Sequence, residues 1–168
     1  YKAALANRST FIKEFFQFTT SNGDVLNGWM VKPATLEGQY PVIMYQYSGP
    51  GSQEVLDSWR AGFYGGTLWE SFLAQQGYVV VCVDGRGTGF MGEKFKKQTY
   101  GNLGALEVED QISAARYLQT LSWVDADRIG IYGWSYGGFM ALGAALRGGE
   151  LFKMAIAVAP VTSWRYYD

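Results

Sequence analysis

An α/β fold with a mostly parallel central sheet is what this sequence predicts. A hairpin signal comes first, strand-like and helix-like patterns alternate after it, and one strand-like run is apolar throughout. In the hairpin, Phe15 to Thr19 and Leu26 to Val31 flank Ser21-Asn22-Gly23-Asp24, and Asn-Gly between β-like runs favours a tight turn. Pro41 to Tyr47 reads as the next strand, closed by Ser48-Gly49-Pro50-Gly51. Thr67-Leu68-Trp69-Glu70 has capping-box spacing, so a helix starts there, with Phe72 and Leu73 on its apolar face and Gly77 as its stop. Tyr78 to Val83 is the unbroken apolar run, the pattern of a strand covered on both faces. In Glu107 to Leu121, residues Val108, Ile112, Ala115 and Leu118 recur at helical spacing. A strand at Arg128 to Tyr132, a helix at Gly138 to Leu146 and a strand at Met154 to Ala159 complete the alternation.

Composition narrows the function classes. At 168 residues the chain fits one domain. It has 48% apolar and 17% charged residues, which excludes intrinsic disorder. A formal net charge of −1 leaves no electrostatic footprint for nucleic acid and no polybasic membrane signal. No apolar run approaches the roughly 18 residues of a membrane span. The single cysteine, Cys82, cannot form an intramolecular disulfide; set in a valine run, it reads as a small buried hydrophobe. There is no histidine at all, which removes the commonest general base and metal ligand. No cofactor and no metal are expected. The chain opens at Tyr1, and its first ten residues are too polar for a signal-peptide core, so it reads as a piece of a longer or processed protein.

The chemistry centres on Gly133-Trp134-Ser135-Tyr136-Gly137, a G-x-S-x-G pattern between a strand and a helix. That context is the nucleophile elbow, in which serine occupies a strained turn and flanking glycines let strand and helix approach closely. The N–H that follows the serine then lies at the positive end of a helix, suited to a developing oxyanion. A competing pattern, Gly87-Thr88-Gly89-Phe90-Met91-Gly92, spells G-x-G-x-x-G. Asp84 and Arg86 interrupt its junction with the strand, and the acids at the right distance begin a helix, so a turn-forming loop is expected instead of a nucleotide site. Glu107, Glu109 and Asp110 read as complements to a helix N-terminus. Lys94, Lys96 and Lys97 read as a solvated face. Tyr47, at a strand end, reads on its own as a core aromatic.

Taken together, QYSGPGSQ (46 to 53), VDGRGTGFMG (83 to 92), LGALEVEDQISAARYL (103 to 118), GWSYGGF (133 to 139) and AVAPVTSWRYYD (157 to 168) resemble the dipeptidyl peptidase IV branch of the prolyl oligopeptidase family of serine peptidases. The resemblance implies an α/β-hydrolase catalytic domain with helices on both faces of the sheet. It spans 1–168 as a partial domain without the last strands, and residues 1–14 would be a linker from an N-terminal β-propeller. Position by position, it implies Ser135 as nucleophile, with the Tyr136 N–H and the Tyr47 hydroxyl as the oxyanion hole. Tyr136, Val161, Trp164 and Tyr167 would line an apolar pocket for a proline ring.

The implied activity is release of N-terminal dipeptides with Pro or Ala in second position, from peptide substrates. An acyl-aminoacyl peptidase or a carboxylesterase is the alternative on the same elbow. In this fold the triad runs Ser, then Asp or Glu, then His. No residue after Ser135 is His, so the chain by itself is expected to be inactive. The resemblance also implies that strand 154–159 is an exposed apolar edge, through which self-association is expected. It suggests a periplasmic, secreted or cell-surface protein.

Overall fold

The computed structural model describes residues 11–58 and 68–167. A six-stranded mixed sheet runs through it, with strand order β1-β2-β4-β3-β5-β6. Strands β1 (Phe11–Thr19) and β2 (Val25–Pro33) form the antiparallel hairpin. Gly23 takes a φ of +87° in its turn, a conformation glycine adopts without steric cost. β1 starts four residues before the sequence pattern suggested, so Phe11 to Glu14, expected as linker, pair with β2.

β2 pairs antiparallel with β4 (Val79–Asp84), while β3 (Tyr40–Tyr45), β5 (Val124–Trp134) and β6 (Met154–Val158) extend the sheet in parallel. All six residues of β4 are buried. Val79, Val81 and Val83 face one core, and Val80 and Cys82 face the other, which is why this strand needs no polar side.

The first core is closed by α3 (Leu106–Gln119) and α4 (Tyr136–Arg147). The expected α3 stripe is inside, with Val108, Ile112, Ala115 and Leu118 all 8% exposed or less. The second core is closed by α1 (Leu68–Gln75) through Leu73 and Ala74. Helices therefore cover both faces, as expected. Phe72, expected on the apolar face of α1, is instead 51% exposed and stacks on Trp69 with ring centroids 5.8 Å apart. Thr67, the expected cap, lies outside the described residues. Between β4 and α3 sits a four-residue helix, α2 (Glu93–Lys96), which the lysine spacing did not announce; none of its residues is buried.

β5 begins at Val124, four residues before the expected start at Arg128, where Val124 registers against Tyr40 of β3 and Arg128 Nε donates to Asp125 at 2.6 Å. β3 stops at Tyr45, two residues before the expected end, as the chain turns at Ser48 with a φ of 63°. No helix among the described residues is long and apolar enough to cross a membrane.

Candidate active site

A tight turn joins β5 to α4. Ser135 sits there with φ 56° and ψ −112°, a conformation that costs a non-glycine residue about 1–3 kcal/mol. Its surroundings hold it. The Ser135 N–H donates to the Val158 carbonyl of β6 at 2.9 Å, and its own carbonyl accepts the Phe139 N–H at 3.1 Å, the first bond of α4. A Cβ on Gly133 would come within 2.5 Å of the Gln46 carbonyl oxygen, and one on Gly137 would strike the same atom. The two glycines of the motif thus let β5 and α4 close on the chain leaving β3.

Tyr47 follows β3, and its ring centroid is 6.2 Å from that of Tyr136. A Cβ at Gly49 would reach Tyr47 Cε1 at 2.5 Å, so glycine there lets the ring lie over its own loop. Asp84 secures the far end of the loop, accepting the Glu54 N–H at 3.0 Å and the Val55 N–H at 2.8 Å. Burial pushes its carboxyl up to about 6, against the pull of those two donors. The glycine-rich stretch after β4 forms turns, with no helix opening at its first glycines. It pairs with the Tyr47 loop instead, through Gly51 N–H to Gly87 O at 2.9 Å and Gly89 N–H to Ser52 O at 2.8 Å.

One cavity of about 220 Å³ brings together Tyr47, Ser135, Tyr136, Val161, Trp164 and Tyr167, all six residues singled out from the sequence. Its wall is an aromatic box. Trp164 meets Tyr136 at 5.6 Å, Phe139 edge-on at 5.5 Å and Tyr167 edge-on at 5.2 Å. Edge-to-face contacts of this kind are favoured by the ring quadrupoles and make a rigid apolar surface. Tyr167 is 63% exposed, so the box opens to solvent on its side. Gly49, Pro50 and Leu103 also line the cavity, and nothing in their sequence pattern announced them.

Glu107 has a partner that helical spacing could not reveal. Its side chain is fully buried; Oε2 accepts the Gly104 N–H at 3.0 Å, just before α3, and Oε1 accepts the Tyr136 hydroxyl at 2.6 Å. The bond anchors the outer end of the Tyr136 ring. Burial first, and this carboxylate second, raise the Tyr136 phenol well above its ordinary value. Asp110 takes a different role from the one expected, receiving Arg86 through Nη2 at 2.7 Å and Nε at 2.9 Å. Burial pushes the Asp110 carboxyl up, against the pull of that guanidinium. Cys82 is fully buried, and burial holds its thiol well above the usual range, as suits an unreactive core residue. Among the described residues no group of His, Cys, Asp or Glu could hold a metal ion.

A serine at positive φ between strand and helix, on a mixed sheet covered on both faces, defines the α/β-hydrolase class. The profile of the prolyl oligopeptidase family matches residues 67–168. "Probable dipeptidyl-aminopeptidase B" of Pyrenophora teres is 52% identical over 132 residues, covering 77% of this chain and 14% of that protein. The protein of the same name in Coccidioides posadasii is 42% identical over 170 residues, covering 99% of this chain and 18% of its own length. The crystal structure of Porphyromonas gingivalis dipeptidyl peptidase 4 superposes with a TM-score of 0.89 at 50% identity, covering 99% of this chain and 23% of that one. The chain belongs to the prolyl oligopeptidase family, and it spans less than a quarter of these relatives.

Proposed function

We propose that this chain is the nucleophile-bearing part of a serine-type dipeptidyl peptidase that releases N-terminal dipeptides with Pro or Ala in second position. The observation that carries the reading is the cavity in which Ser135 opens directly onto the aromatic box. A rigid five-membered ring or a methyl group packs against such a box through apolar contact. Ser135 Oγ forms the bond to the scissile carbonyl carbon while its proton passes to a base. The oxyanion accepts hydrogen bonds from the Tyr136 N–H and the Tyr47 hydroxyl. The C–N bond then breaks, the proton leaves with the peptide amine, and water cleaves the acyl-serine. The base is not a histidine of these 168 residues, since there is none, so the chain alone turns over no substrate.

The test uses the longer protein and the chain side by side. The longer protein should hydrolyse Gly-Pro and Ala-Pro p-nitroanilides and lose that activity with Ser135→Ala, while the chain alone resists stoichiometric labelling by a fluorophosphonate. Preference for short acyl esters or N-acyl amino acids would instead favour a carboxylesterase or an acyl-aminoacyl peptidase.

For the isolated chain we further propose self-association through β6. This strand ends the sheet order, and its Met154 and Ile156 are 42% and 48% exposed. An apolar strand edge of this kind is a template for pairing. A strictly monomeric species in sedimentation at micromolar concentration would overturn it.

A further inference from the structure

We propose that Gln46, Ser48 and Gln111 are positioning residues that hold Tyr47 where its phenol can serve the oxyanion, which rests on the function proposed above. Gln46 and Ser48 flank Tyr47, and both are buried, at 0% and 1% exposure. Tyr47, between them, is the one that reaches the cavity. Their polar atoms form a directed chain. Gln111 Nε2 donates to Ser48 Oγ at 3.3 Å, Ser48 Oγ donates to Gln46 Oε1 at 3.1 Å, and Gln46 Nε2 donates to the Gly137 carbonyl in the first turn of α4. Gln111 Nε2 also donates to the Val83 carbonyl of β4 at 3.0 Å. The chain therefore ties both sides of Tyr47 to the helix that begins one residue after Ser135, and to the central strand.

Two arguments favour positioning over simple stability. A buried hydrogen-bonded network contributes little net stability compared with apolar residues of the same shape, so stability alone gives no reason for two glutamines and a serine here. Ser48 also holds a φ of 63°, a conformation that persists in a non-glycine residue only where neighbours over-determine it. That turn directly follows Tyr47 and fixes the direction in which the chain leaves it.

The experiment is a double-mutant cycle in the longer protein, read as kcat and KM on Ala-Pro p-nitroanilide and as the rate of Ser135 labelling by a fluorophosphonate. Gln46→Met should lower kcat and labelling about 10-fold with KM unchanged, and Tyr47→Phe about 100-fold. The double variant should fall no further than Tyr47→Phe alone. Multiplying effects, or a change in KM only, would overturn the proposal. Gln111→Met, more remote from the loop, serves the same cycle should Gln46→Met fail to fold. If the unaltered protein neither turns over the substrate nor labels, the proposed function itself is wrong; if it does both and the cycle is multiplicative, only the positioning role falls.

Discussion

Two neighbouring loops leave parallel strands of the sheet and are held by different balances of backbone and side chain. The elbow after β5 is fixed mostly by backbone, through a strained Ser135, two glycines without room for a Cβ, and main-chain bonds to β6 and α4, with the Gln46 amide on the Gly137 carbonyl as its side-chain tie. The loop after β3 relies more on side chains, the Gln46 and Ser48 amide–hydroxyl chain on either side of Tyr47 and Asp84 at the far end, beside its main-chain bonds to Gly87 and Gly89. The two meet where the Gln46 carbonyl packs against Gly133 and Gly137. Steric fixing tolerates no added atom. Hydrogen-bonded fixing tolerates substitution but loses aim.

The largest effect should come from adding one carbon at the meeting point. Gly137→Ala places a Cβ against a backbone oxygen that cannot rotate away, so destabilisation of about 3 kcal/mol or more is expected, measured by thermal melting of the chain. A melt indistinguishable from the unaltered chain would break the contrast. Next in size, Tyr47→Phe in the longer protein should leave the melting temperature within a degree or so while lowering kcat about 100-fold, the usual loss for one oxyanion donor. An equal loss of stability and activity would place Tyr47 with the elbow.

The third effect concerns pH. The Asp84 carboxyl is raised from 3.8 to about 6 on folding, so the folded state favours its neutral form. Its stabilising contribution is full below about pH 4 and is lost as pH rises through about 6, about 3 kcal/mol. Asp84→Asn should flatten this part of the stability–pH curve, measured by urea unfolding at several pH values. The smallest effect is relief of strain at the elbow. Ser135→Gly should raise stability by about 1 kcal/mol in the same unfolding experiment, because glycine adopts positive φ without a Cβ clash. A loss would mean that the serine is not strained.

The same contrast decides what was readable beforehand. The elbow was legible because its determinants lie within five consecutive residues and act through the absence of side chains. β4 was legible because burial on both faces leaves an uninterrupted apolar run. The mount of Tyr47 was not, because Gln46 reaches Gly137 and Ser48 meets Gln111, contacts between residues far apart in the chain with no periodic signal. Glu107 was half legible. Its place at the start of α3 follows from position, whereas its bond to Tyr136 exists only once α3 and α4 pack. The early start of β5 was hidden by its polar residues, of which Asp127 and Arg128 are exposed.

The bonds around Ser135 have a mechanical consequence. Its N–H is held by Val158, the last residue of β6, and its carbonyl also receives the Val161 N–H at 3.4 Å. Ser135 is thereby tied to β6 and to a wall of the cavity it lines. β6 also runs alongside β5 in a parallel ladder that ends with Trp134 against Val158, so any movement of β6 reaches Ser135 through the ladder and the bond together. Under the function proposed above, the stiffness of the β5–β6 ladder becomes the stiffness of the site.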